Sequence, residues 1–377
     1  MLHGSLQYWD LPDWHSDRSY SPSIAGVLQS AYSHLVKDAL TASKLRAHAT
    51  VHPYRDERMC EHQRLRVYYL LGVGYAADGQ YPLALFCLDE ALERAALLGP
   101  VADEIAIYSL KASINRAAFE FSEAVDDCRI ALSLLREDQH YEENPDLPNE
   151  LQLLGQMAGL EFFLTRFTDA QLHLDEGFAL GLVTSSDVLS LGSLHASQAH
   201  LDHLTGQYDT AIAHSEFAAD AYQQAGHTVS AGRLQCLCAE ILSRHAERLQ
   251  TGDERDALIA RAARAISDAQ QCATSGSDDI GQGLITLVDT RLSRLCARDE
   301  DRIARIEQVG ALAHKWDDAA LLVQTFTSLG DELAASGRLD SGKHRYRDAI
   351  ALMDGGEAPA LAIWPKRALL RYSEGEG

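Results

Sequence analysis

The sequence is poor in several things, and each shortage narrows what it can be. Aromatic residues make up 7% of its 377 positions and prolines number nine. Without β-branched and aromatic alternation, and with alanine and leucine abundant, the composition suits helices better than strands. Positive charge is scarce: 33 Lys and Arg stand against 55 Asp and Glu, a formal charge of −22. A surface of that sign repels nucleic-acid phosphates and anionic lipid, so neither is an expected partner. No run approaches the roughly 18 uninterrupted apolar residues of a membrane span. The start, "MLHGSLQYWDLPDW", lacks the basic-then-apolar order of a signal peptide. The seven cysteines are odd in number and scattered, most of them within apolar helical pattern where a thiol behaves as a small hydrophobe. A reducing, cytoplasmic compartment is the expectation. There is no P-loop, HExxH, G-x-S-x-G or kinase signature. What is present, 46% hydrophobic and 23% charged residues, supports a packed core rather than disorder.

One stretch offers a nucleotide-binding motif. Gly72-Val73-Gly74-Tyr75-Ala76-Ala77 fits the G-x-G-x-x-A form of the dinucleotide fingerprint, which has meaning only between a strand and a helix inside a parallel βαβ unit. Here the glycines fall inside helical periodicity and no parallel-strand pattern follows. They read instead as packing residues.

The same stretch opens a repeat. Tyr68, Leu71, Gly72 and Tyr75 lead through the turn Asp78-Gly79-Gln80 to Tyr81, Ala84, Leu88 and Ala91. The offsets return at Tyr108, Ala112, Phe121, Ala124, Cys128 and Ala131, and at Leu154, Ala158, Phe167, Ala170, Leu174 and Gly177. A fourth copy reads Ala199, Gly206, Tyr208, Ala211 and Ala218, and a late one Phe326, Leu329, Gly330, Leu333, Gly337, Leu339, Gly342, Tyr346 and Ala349. From Ala84 to Ala124 is 40 residues, to Ala170 a further 46, to Ala211 a further 41. Two eroded helix pairs between Gly232 and Lys315 break near Thr251-Gly252 and near residues 275–279.

The pattern W-x2-L-G-x2-Y, turn, A-x3-F-x2-A resembles the tetratricopeptide repeat, most clearly over 65–98 and 323–356. The resemblance implies an all-α, right-handed α-solenoid of about seven helix pairs with terminal capping helices, in which a small residue sits where the two helices of a pair cross. The expected divisions are an aromatic, acidic tail over 1–21, capping helices or a degenerate first pair over 22–60, the repeat array over 61–356, and a capping helix with a tail over 357–377. A polar loop over 137–149 ends in a helix N-cap at Asn149.

The resemblance also implies a protein-binding scaffold whose first helices line a concave groove. The groove candidates it assigns are Arg66, Tyr69 and Val73; Ser109, Ser113 and Arg116; Gln152, Gln156, Gly159 and Phe162; Ala196, His200 and His203; and Gln324, Thr327 and Asp331. His195, His200, His203 and Asp202 form the best metal-ligand candidate, since His200 and His203 share a helix face. The offset of His195 and the absence of a zinc signature favour groove-facing polar residues instead. Cys236 and Cys238, two apart on a helix, point in different directions and read as packing. No metal, cofactor or catalytic residue is assigned.

The leading functional expectation is a non-catalytic adaptor or regulatory scaffold holding a peptide or partner-protein segment. The alternative is a peptide- or effector-sensing module, because arrays with repeats near 40 residues resemble the sensor halves of bacterial transcription regulators. No helix-turn-helix is apparent, so a DNA-reading domain would be missing or on another chain. An enzyme using the groove is the remote third reading.

Overall fold

The computed structural model describes residues 61–77, 79–99, 101–137, 149–181, 188–249, 251–276, 278–298, 301–316, 318–353 and 358–374. The expected tail over 1–21, the capping helices over 22–60 and most of the polar loop lie outside the described residues. Among the described residues every regular element is helical. We number the α-helices α1 (Glu61–Ala77), α2 (Tyr81–Leu98), α3 (Val101–Ala117), α4 (Phe121–Glu137), α5 (Glu150–Phe163), α6 (Phe167–Gly181), α7 (Val188–Thr205), α8 (Tyr208–Gln224), α9 (Thr228–Arg248), α10 (Asp253–Gly276), α11 (Asp279–Leu295), α12 (Arg302–Trp316), α13 (Ala319–Ala335), α14 (Leu339–Ala351) and α15 (Ile363–Glu374). A short 3-10 helix, Pro359–Ala362, precedes the last. The class is all-α, of the helical-repeat type.

Local chemistry explains where the helices stop and start. In six of the seven pairs the first helix ends on a residue in the left-handed region: Gly79, Phe119, Thr165, Gly206, Ala297 and Gly337. The following N–H then reaches back five residues to a carbonyl, as from Gln80 to Tyr75 (2.9 Å), Arg166 to Glu161 (2.9 Å) and Arg338 to Leu333 (2.9 Å). This satisfies end carbonyls that would otherwise be orphaned. Asn149 caps α5 as the sequence suggests, its Oδ1 accepting the Gln152 N–H at 2.8 Å. Asp318 does the same for Leu321 at the start of α13 (2.8 Å).

Helix contacts divide the chain into two compact units, Met1–Leu153 and Leu154–Gly377, with the dividing line inside α5. In the first unit α1 to α4 pack in order, with α1 to α3 sharing a core of Leu65, Tyr69, Leu88, Ile107, Leu110 and Ile114. Gly72 lies in α1, where a Cβ would meet Leu88 at 2.8 Å and the Ala84 carbonyl at 3.3 Å, whereas one on Gly74 would meet nothing. One glycine of the apparent fingerprint therefore serves a helix crossing, and both lie within a helix rather than ahead of one.

In the second unit the same small-residue rule holds: a Cβ on Gly342 of α14 would meet the Gly330 carbonyl of α13 at 2.9 Å. The eroded region proves to be two full pairs, α9–α10 and α11–α12; α10 starts just after Gly252 and ends at Gly276, and α11 starts at Asp279, so the breaks fall near Thr251-Gly252 and within 275–279, where the sequence marks them. Here the first helices of successive pairs, α9, α11 and α13, touch one another as well as their own partners, so they present one common face. The final helix, within the stretch expected to cap the array, begins at Ile363, two residues ahead of Pro365. Proline is tolerated there because it sits in the first turn, where its missing N–H has no intrahelical partner.

Candidate functional site

The common face of the second unit holds a cavity of ≈ 210 Å³. Its walls come from the first helices of five consecutive pairs: Phe162 and Phe163 of α5, His200, His203 and Leu204 of α7, Leu237, Glu240 and Arg244 of α9, Leu287, Val288 and Arg291 of α11, and Val323, Gln324 and Thr327 of α13. The last wall is the C-terminal segment, through Ala360, Leu361 and Trp364. Apolar walls with a few convergent polar groups are the usual make-up of a ligand site.

The polar groups form a ladder across the helices. Arg291 reaches Glu240 at 3.4 Å on one side and Asp331 at 3.2 Å on the other, with Glu247 at 3.8 Å. Arg244 pairs with Glu240 at 2.9 Å. Arg294 joins Glu247 and, at 2.9 Å, Glu332, which also accepts from Arg302 at 2.8 Å. Tyr346 donates its hydroxyl to Asp331 at 2.7 Å. Burial pushes the Glu240 carboxyl upward, but Arg244 and Arg291 outweigh it and hold the group at about 2. His203, 4% exposed, is pushed down to about 3 by burial, and burial lowers His200 as well. Both rings are neutral at pH 7. Two buried atoms at this site, His203 Nε2 and Arg291 Nε, make no hydrogen bond within the protein, a costly state unless a ligand or water completes it.

The expected groove residues divide by location. Phe162, His200, His203, Gln324 and Thr327 line the cavity. Asp331 stands behind it as a partner of Arg291. Ala196 packs instead beside Ala218 and Leu234, and Gln156 and Gly159 are half-buried on α5. Arg66, Tyr69, Val73, Ser109, Ser113, Arg116 and Gln152 belong to the first unit. There Tyr69 and Val73, each 1% exposed, sit in the core with Ile107 and Leu110. They offer a partner no surface, because their side of α1 is packed rather than open. Arg66, Ser109, Arg116 and Gln152 are half-buried, and Ser113 donates to the Ser109 carbonyl at 3.1 Å.

The structure separates the histidines considered together as ligands. His195 faces α8, its Nδ1 2.6 Å from His214 Nδ1, between Phe178 and Phe217. Burial and then His214 lower it to about 4. Asp202 accepts instead from Gln198 at 2.7 Å.

Glu240, Arg244, Arg291 and Trp364 are cavity-lining residues that the sequence reading passes over. A signal for two of them, Glu240 and Arg291, exists in the repeat length. His200 and Glu240 are 40 residues apart, as are Leu287 and Thr327, and Arg291 and Asp331. Stepping the groove positions of clear copies through the eroded ones would have reached them.

No protein-family model matches the sequence, and no curated protein matches it either. Solved structures do resemble it in fold. The apo form of the quorum sensor NprR from B. thuringiensis superposes with a TM-score of 0.62 at 16% identity, over 88% of this chain and 87% of that one. Aspartyl phosphate phosphatase F from Bacillus subtilis gives 0.63 at 11% identity, over 93% of each chain. NprR in complex with its cognate peptide NprX gives 0.53 at 14% identity, over 88% of this chain and 87% of that one. At such identities the likeness is one of fold.

Proposed function

We propose that the protein is a non-catalytic, cytoplasmic regulatory scaffold of tetratricopeptide type, and that the cavity of the second unit receives a short peptide or a segment of a partner protein. The observation that carries the reading is the convergence of five first helices on one cavity, in whose wall two buried atoms, His203 Nε2 and Arg291 Nε, have no hydrogen bond within the protein. Such atoms suit the N–H and C=O groups of an extended backbone, while Phe162, Leu237 and Val288 suit its apolar side chains. One fold neighbour is a quorum sensor solved with its cognate peptide, which supports a peptide ligand for this cavity. The acid surface, −22 overall, argues for a protein or peptide partner rather than nucleic acid or membrane.

The test is to recover the full chain from its native cells, identify any co-purifying peptide by native mass spectrometry, and measure its affinity for two variants. Thr327→Trp fills the cavity and should weaken binding at least tenfold. Glu216→Gln, exposed on α8 outside the cavity, should change it less than twofold. Unchanged affinity for Thr327→Trp in a folded protein removes the cavity as the site.

A further inference from the structure

The C-terminal segment makes two sets of contacts, and only one is needed to cap the array. Its buried alanines, Ala360, Ala362 and Ala368, belong to a stretch packed on the last pair, α13 and α14, where Tyr372 also stacks on Tyr346 (6.2 Å, 16°). Trp364 and Arg367 turn the other way, to helices two and three pairs earlier in the chain. The Trp364 ring lies 5.1 Å from that of His203 on α7 and under the Arg244 guanidinium of α9 at 4.3 Å. Arg367 lies over the same indole at 5.3 Å and donates to the Leu204 carbonyl, in the last turn of α7, at 2.8 Å. A half-buried aromatic stacked on arginine, beside a cation at the negative end of a helix, is the kind of anchor that interfaces use. The remaining ≈ 210 Å³ is below the few hundred Å³ typical of a complete ligand pocket, so a peptide needs the space that Trp364 fills.

We infer that the segment Pro359–Glu374 is an internal occupant of the groove, and that Trp364 with Arg367 marks the ligand chemistry the groove takes: a short peptide carrying an aromatic side chain and, nearby, a basic one, which displaces the segment on binding. The inference rests on the cavity being a ligand site. Tethering makes the internal copy effective even when its contacts are weak, because its local concentration is on the order of millimolar.

The probe is a fluorescein-labelled synthetic peptide of residues 358–374, titrated by polarisation into the full chain. Wild type, with its groove filled in cis, should bind weakly. The double variant Trp364→Ala/Arg367→Ala should bind at least tenfold more tightly, and a probe carrying Ala in place of its Trp should lose that gain. Adding Arg244→Lys, which keeps the charge but loses the planar stack, should also remove it. Equal affinity for wild type and double variant, or retention by the Ala-substituted probe, overturns the inference. Should the double variant unfold by circular dichroism, Arg367→Ala alone decides: a two- to fivefold gain supports the inference and no gain rejects it. If Thr327→Trp blocks the native peptide while releasing the segment changes nothing, the internal-occupant reading alone fails and the cavity stands.

Discussion

The two units are built from the same helix pairs yet bury different things. Around α1 to α4 the largest fully buried side chains are Tyr69, Leu65, Leu88, Ile105, Ile107, Leu110 and Leu135. The charged group sunk among them is Asp127, held by Asn115 at 2.8 Å and Lys111 at 3.8 Å. Burial raises its carboxyl to about 6 against the opposing pull of Lys111 and Asn115. The second unit buries Arg291 (6% exposed) and His203 (4%) in the wall of a cavity, and Glu332 (5%) under Arg294 and Arg302. A stack of helices has no need of such groups, because apolar residues of equal volume commonly stabilise as well or better. The contrast agrees with the proposed placing of the ligand site in the second unit, because desolvating charge beside a cavity is a cost that stability alone does not require.

The largest test of that contrast is Arg291→Met. It removes the common partner of Glu240, Glu247 and Asp331, leaving three acids less compensated. Breaking a buried pair from one side costs about 3–5 kcal/mol. Hydrogen exchange followed by mass spectrometry should show protection lost in α9, α11 and α13 and retained in α1 to α4. Asp127→Asn, which keeps a partner for Asn115 and deletes a charge, should stay within about 1 kcal/mol of wild type. Comparable losses from the two substitutions would mean that the units do not differ in the way their burial suggests.

A change of pH pulls the units in opposite directions. The folded value of His203, about 3, lies below its ordinary 6.5. Between those values the unfolded chain binds a proton that the folded one refuses, so stability falls with pH at about 1.4 kcal/mol per unit. From pH 7 to 5 this removes about 2 kcal/mol from the second unit by the same relation. Asp127 has the reverse sign: its folded value of about 6 lies above the ordinary 3.8, so the folded state binds the proton first. The first unit therefore gains about 1 kcal/mol over the same interval. Exchange rates at the two pH values, corrected for intrinsic chemistry, should diverge between α3–α4 and α7–α9. A shift of both in one direction would dissolve the contrast.

The sequence makes the helix pairs legible because their determinants are local. Gly72 and Ala84, Gly330 and Gly342, and the turn glycines at 79, 206 and 337 each act within a few residues of the features they fix. The ladder of Glu240, Arg291 and Asp331 is spread over 51 and 40 residues, and Glu240 and Arg291 sit in degenerate copies where no consensus assigns a face, although Asp331, in a clear copy, reads as a groove residue. Arg367 and Leu204 are 163 residues apart, and no repeat period connects them. The C-terminal helix could be read as a cap from its position, but its reach to α7 is a tertiary fact. Tyr69 and Val73 show the converse error. Their place in the repeat pattern suggests a groove, yet packing against Ile107 and Leu110 closes that side of α1.

The smallest effect concerns the turns that both units share. At the left-handed position, Gly79 of the first unit has φ 73° while Phe119 has 66° and, in the second unit, Thr165 has 61°. A side chain there costs roughly 1–2 kcal/mol, most awkwardly for a β-branched one. Phe119 has an offsetting contact, its ring edge-on to Phe121 at 5.8 Å and 89°. Thr165 is exposed. Replacing it with glycine relieves the backbone but frees the unfolded chain by about 0.5–1 kcal/mol. Thr165→Gly should therefore stabilise by about 0.5–1 kcal/mol net. Phe119→Gly should destabilise, because the ring contact, about 0.5–1.5 kcal/mol, goes with its buried area. Urea midpoints for the two variants read the difference in sign. Stabilisation by both would show that the aromatic contact contributes little and that the turns of the two units are equivalent; destabilisation by both would mean that the Thr165 side chain has a stabilising role that its exposed position does not disclose.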